Sequence, residues 1–118
     1  MKTITKLFLL LSISLYANEA DVLDVKYNCT NNMICSFDVT IKHNDAGWDH
    51  YVDKYDVLLP NGQIIATRVL YHPHVDEQPF TRSISNVKIP KGANSIIIRA
   101  HDSVHKYGGK EFIVKLNH

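Results

Sequence analysis

Beyond its first twenty residues the chain has no stretch with a sustained 3.6-residue apolar period, which argues against a helical bundle. It has no basic stripe either. With residues 1–20 set aside, 11 basic and 11 acidic side chains remain. A neutral chain of that kind is a poor match for nucleic acid or an anionic membrane. There is no nucleophile elbow and no Cys-His pairing, and Ser103 between His101 and His105 does not by itself make a catalytic unit. Met33 is the one methionine past the start, so a thioether copper(I) store is disfavoured. Asp45, Asp49 and Asp53 lack the glycine and closing glutamate of a helix-loop-helix calcium loop.

Cysteine is nearly absent as well: Cys29 and Cys35 are the two in the chain. A metal-binding pair or a redox couple expects closer spacing, such as two intervening residues. A structural disulfide closing a short polar hairpin turn is the default in an oxidising compartment. Closing so small a loop should stabilise the fold by about 2 kcal/mol.

Export is what the N-terminus announces. Lys2 and Lys6 precede an apolar run from Leu7 to Leu15, and the small residues Ala17 and Ala20 follow. This is a Sec-type signal peptide of bacterial form, assigned to residues 1–20, with cleavage after Ala17 or Ala20. The run is too short to span a membrane and no second one follows, so no membrane insertion is expected once it is removed. No cysteine stands at the cleavage point, so no lipid anchor is expected. Residues 21–118 then form one periplasmic or secreted domain.

That domain reads as all-β. Cys35, Phe37, Val39 and Ile41 alternate with Ser36, Asp38, Thr40 and Lys42, the pattern of a half-buried antiparallel strand. Val22–Tyr27 precedes it. Tyr55–Leu59 and Ile64–Leu70 flank Pro60-Asn61-Gly62, a strong hairpin signal. Phe80–Ile89, Ile96–Ala100 and Glu111–Leu116 complete about seven strands, spaced as in an immunoglobulin-like antiparallel β-sandwich.

Alternating strand directions place the Cys29–Cys35 turn, Pro60-Asn61-Gly62 and Pro90-Lys91-Gly92 at one pole. The opposite pole receives His43–Asp53, Tyr71–Pro79 and His101–Gly109, the longer loops. Six of the seven histidines lie there: His43, His50, His72, His74, His101 and His105. Imidazoles converging on a rigid scaffold suit copper, iron or zinc. Asp49, Asp76, Glu77 and Asp102 are expected to orient them from behind. Asp76, Glu77 and Arg82 equally fit a local ion-pair network, and solvated loop histidines are the bland alternative. Trp48 is expected to pack under its loop.

The segment His43-Asn-Asp-Ala-Gly-Trp-Asp-His50-Tyr51-Val52, followed by Tyr55-Asp-Val-Leu and Asn-Gly, resembles the iron domain of superoxide reductases (desulfoferrodoxins). The loop His101-Asp-Ser-Val-His105-Lys-Tyr-Gly-Gly stands where that family has Cys-x-x-His-Gly. The resemblance implies an immunoglobulin-like sandwich with iron held by four histidines and an axial cysteine. His43 and His50 match the first histidine pair, His105 the C-terminal histidine, and His101 falls near the cysteine position. The cysteine is missing here, as is the early Glu-Lys-His segment, and the His43–His50 gap is longer by one. The fold and the pole therefore transfer better than the activity.

The expectation is an exported protein that binds copper or iron ahead of zinc through His43, His50, His101 and His105, with His72 or His74 assisting. Metal handling or redox chemistry is its expected role. Two other readings stand beside it. One is a divergent superoxide reductase-like oxidoreductase. The other is a metal-free partner-binding module, or an accessory subunit of a periplasmic enzyme, favoured by an apolar patch around Trp48, Tyr51, Tyr71 and Phe80.

Overall fold

Alternation and turn chemistry build the strands. In the computed structural model of the protein, residues 18–117 are described, and they contain seven strands and no helix. These are β1 (Asp21–Cys29), β2 (Ile34–Lys42), β3 (Val52–Leu58), β4 (Ile64–Val69), β5 (Phe80–Lys88), β6 (Ser95–Asp102) and β7 (Phe112–Lys115). They form two antiparallel sheets, ordered β1-β2-β5 and β4-β3-β6-β7. The expected immunoglobulin-like β-sandwich is the fold of the protein. Residues 1–17, which carry most of the expected leader, lie outside the described residues.

The core sits between the sheets. Phe37, Val39 and Ile41 from β2 meet Val52, Tyr55 and Val57 from β3 and Ile96, Ile98 and Ala100 from β6, all buried. Burying one such aliphatic or aromatic side chain contributes roughly 1.5–3 kcal/mol. Tyr55 can be buried because its hydroxyl donates to the Arg82 carbonyl of the facing sheet at 2.9 Å. Burial pushes its phenol pKa far above the ordinary value.

At the tight pole, Cys29 and Cys35 face each other in the β1–β2 register and form the expected disulfide. At the β3–β4 turn Gly62 takes a φ of +93°, which an L side chain resists, while Asn61 Oδ1 accepts from the Gln63 amide. The imperfect alternation of β5 has a cause. Its pairing with β2 shifts between Cys35↔Val87 and Phe37↔Ile84, so β5 bulges, with Asn86 at φ +59°.

A second irregularity matters more. Val52 pairs with Asp102 and Lys54 with His101, so Asp53 is an extra residue in β3. Along β6, Ile96, Ile98, Ala100 and Asp102 point inward, and His101 lies on the opposite face.

Candidate metal centre

The histidine-bearing pole is built by three connections: residues 43–51, 70–79 and 103–111. The first folds on itself. The Ala46 amide donates to the His50 carbonyl and the His50 amide to the Gly47 carbonyl, with Gly47 at φ +92°. This brings His50 back over His43. Their Nε2 atoms stand 3.2 Å apart.

Each ring is held from behind. His43 Nδ1–H donates to Asp45 Oδ1 at 2.6 Å, and both side chains are fully buried. Asp45 also accepts the Val52 amide on Oδ1 and the His74 amide on Oδ2. Burial alone would raise the Asp45 pKa. The His43 hydrogen bond, the two amides and the His43 charge outweigh it and hold the carboxyl below its ordinary value. A carboxylate fixing the outer nitrogen of an imidazole leaves the inner one free to coordinate. His50 Nδ1 has the Asn18 side-chain amide 3.3 Å away. A half-turn of that amide would aim Asn18 Oδ1, now buried and unpartnered, at His50 Nδ1–H.

Asp102 closes the group. Its Oδ1 accepts the Val104 and His105 amides of the turn that follows β6, at 2.9 and 2.6 Å, and lies 3.2 Å from His50 Nε2. Its Oδ2 is buried without a hydrogen-bond partner, 3.9 Å from His43 Nε2. The donor atoms of His43, His50 and Asp102 all lie within 4.8 Å of one another. His105 stands beside them, its ring 4.9 Å from that of His50 and its Nδ1 buried with no hydrogen bond.

His43 Nε2 looks into the middle of this group, with the Asn18 carbonyl at 2.9 Å, His50 Nε2 at 3.2 Å and the Asp102 carboxylate at 3.9 Å around it. Where acceptors face one another in a largely buried space, a proton on a ring nitrogen or a metal ion between them satisfies them. Two of the three separations, His43–His50 and His50–Asp102 at 3.2 Å each, match those of neighbouring ligands on one metal, while His43–Asp102 at 3.9 Å is wider. Bonds near 2.1 Å at angles between octahedral and tetrahedral separate neighbouring donors by about 3.0–3.4 Å.

The other predicted residues go elsewhere. His101 turns to the outer face of its sheet, where Nδ1 lies 2.5 Å from Asp53 Oδ1 and the ring meets Tyr107 edge-on. On the same face, Tyr107 donates to Asp56, and Arg99 stacks on the Tyr107 ring, 3.8 Å from its centroid. Burial raises the Asp56 pKa, but bonds from Tyr107, Thr67 and Arg99 bring it below normal. His74 stacks flat on Phe80 with ring centroids 4.1 Å apart, and both of its ring nitrogens are buried and unpartnered. His72 is exposed beside it. Asp49 and Asp76 are exposed, and Glu77 pairs with Arg82 at 3.0 Å.

Two expectations need correcting. Trp48 is 67 % exposed and meets Tyr51 edge-on, so it does not pack under its loop: the turn that aims His50 inward points Trp48 out. Phe80 is buried beneath His74, so it cannot join an exposed patch. The three candidate calcium aspartates are scattered, with Asp45 on His43, Asp53 on His101 and Asp49 in solvent. The sequence offered Asp45 only as one of several carboxylates beside the histidines, and the Asn18 contact was missed altogether. A shallow hollow lined by Asn28, Cys29, Ser36 and Asn86 lies at the far pole and offers no titratable group.

No family profile matches the sequence, and no solved structure matches it significantly. The chain is 36 % identical over 96 residues to a protein of Halomicrobium mukohataei named "Putative lipoprotein". The match covers 81 % of this chain but 47 % of that protein, so the chain spans about half the length of its relative.

Proposed function

We propose that this is an exported β-sandwich that binds a first-row transition metal between His43, His50 and Asp102, with His105 beside them. The observation that carries the reading is the mutually facing set of donors: Nε2 of buried His43 and of part-buried His50, and a buried, unpartnered Asp102 carboxylate oxygen. Two imidazoles and a carboxylate suit iron(II), copper(II) or zinc, and no sulfur donor is on offer. The expected leader supports export, as does the name of the Halomicrobium relative. The role that follows is metal handling or redox chemistry in the periplasm.

The likeness to superoxide reductases enters the proposal as a kinship of fold and loop position. His43, His50 and His105, the histidines that the resemblance matches, lie together at the loop pole, which supports that reading. Both cysteines are joined at the opposite pole, so no thiolate is available to push electrons toward a bound oxidant. Without a thiolate, the reductase reaction lacks the electron push that the resemblance implies for it. A partner-docking role has one observation in its favour: Trp48, Tyr71, Val75 and Val104, all on the loops of this pole, are strongly exposed.

Elemental analysis of untagged protein from its exported compartment tests the metal reading, beside a His50→Ala/His105→Ala variant. Near-stoichiometric copper, iron or zinc that vanishes in the variant is the expected result. Protein that is metal-free and fails to take up added metal at micromolar concentration would sink the reading and leave the docking module.

A further inference from the structure

Residues 18–20 do not trail from the sandwich. Ala20 is buried, and a Cβ on Gly109 would fall onto its carbonyl. Just beyond, Asp21 Oδ1 accepts the Lys110 amide at 2.7 Å, and the Val22 amide donates to the Lys110 carbonyl at 2.8 Å. Asn18 reaches further. Its carbonyl oxygen lies 2.9 Å from His43 Nε2, and its side-chain amide lies 3.3 Å from His50 Nδ1. Cleavage after Ala20 would remove the contacts of Asn18 and the buried Ala20. Cleavage after Ala17 keeps them and makes Asn18 the first residue.

Resting on the metal reading above, we infer that the leader is removed after Ala17 and that the new N-terminus is itself a metal ligand. The α-amine and carbonyl oxygen of Asn18 then complete the sphere begun by His43, His50 and Asp102. A secretory leader peptidase hydrolyses the Ala17–Asn18 amide. Water's hydroxyl goes to Ala17, and Asn18 gains the hydrogen that makes its nitrogen a primary amine. An acylated nitrogen has its lone pair delocalised into the carbonyl and is a poor donor; the free amine is a good one.

Amine nitrogen and carbonyl oxygen of one residue close a small chelate ring on a metal. The 2.9 Å between the Asn18 carbonyl and His43 Nε2 fits two donors near right angles, which bonds of about 2.1 Å place about 3.0 Å apart. Covalent geometry keeps the α-nitrogen within about 3.6 Å of its own carbonyl oxygen at any ψ, so the amine stays at the site. Before cleavage this chelate is unavailable. Processing therefore raises the affinity of the site, and full metal loading follows it.

The test uses zinc ion, which does not displace amide protons at neutral pH. Intact-mass measurement of protein from the exported compartment should place the first residue at Asn18. That form should bind zinc at least about tenfold tighter than a form retaining Leu15-Tyr16-Ala17. Zinc should also shield the Asn18 amine from an amine-acylating reagent, read by peptide mass. A mature chain beginning at Asp21, equal affinities of the two forms, or an amine acylated equally with and without zinc would each overturn the inference. His50→Ala in both forms separates the two levels. Zinc bound equally by both and lost with His50→Ala leaves the metal reading standing and removes the N-terminal ligand. Absence of zinc binding in both forms removes the metal reading itself.

Discussion

Two histidine pairs at the same pole have almost the same ring separation, 4.7 Å for His43/His50 and 4.8 Å for His72/His74, yet differ in chemistry. In the first pair a buried carboxylate holds the outer nitrogen of His43, and the inner nitrogens of both rings meet. In the second, His74 lies flat on Phe80, and His72 turns Nδ1 to the carbonyl of its own neighbour Pro73. Closeness of rings alone therefore says little. What makes a ligand pair is a partner behind each ring and an open lone pair in front.

Substitution should break this contrast most sharply at the ligands. His43→Ala or His50→Ala should lower metal affinity by more than about 100-fold, whereas His72→Ala should leave it within about twofold, read by chelator competition. A His72→Ala loss as large as that of His50→Ala would mean that the second pair joins the site.

Removing the support behind the ring comes next. Asp45→Asn should cost about 10–100-fold in affinity. It should also destabilise the metal-free protein by about 1–3 kcal/mol, since Asp45 accepts two loop amides as well as His43. Urea denaturation of wild type and variant, with chelator present, gives the second figure.

The second pair should show itself in pH dependence. Burial chiefly, then the charges of Arg82 and His72, push the His74 pKa below its ordinary 6.5. The unfolded chain therefore binds the proton more readily than the folded one. The stability this position contributes is complete above about pH 6.5 and falls as pH drops through that value, until the folded ring protonates too. His74→Phe should flatten that part of the pH–stability profile of the metal-free protein while leaving metal stoichiometry intact. An unchanged slope in the variant would assign the pH effect to other groups.

The smallest effect is expected at the outer-face histidine. His101→Gln should alter metal content not at all and stability by about 1 kcal/mol or less, because its partner Asp53 remains partly exposed. Loss of metal in that variant would place His101 back in the site.

Most of the fold was legible because its signals are local. The Phe37-Val39-Ile41 alternation, the Asn61-Gly62 turn and the cysteines flanking a short loop each depend on neighbours in sequence. The convergence of His43 with His50 was readable from loop length and strand parity. The role of Asp102 was half readable. Carrying the alternation of Ile96, Ile98 and Ala100 two residues further points Asp102 inward and His101 outward, whereas assigning both to a loop hid it. Asp45 and Asn18 left no comparable trace. Their roles arise from contacts made across the sandwich end, and no period or motif encodes such a contact.

The donors of the centre come from opposite halves of the chain, His43 and His50 before β3 and Asp102 after six strands have formed. A chain threaded unfolded through a translocation channel carries them far apart and captures no ion on the way. The centre comes into being when the sheets close, in whatever fluid surrounds the protein at that moment. Relative metal affinities favour copper almost regardless of the protein's design. If this protein holds the proposed metal, the place of folding is what selects the ion: geography decides the identity of the metal before chemistry can use it.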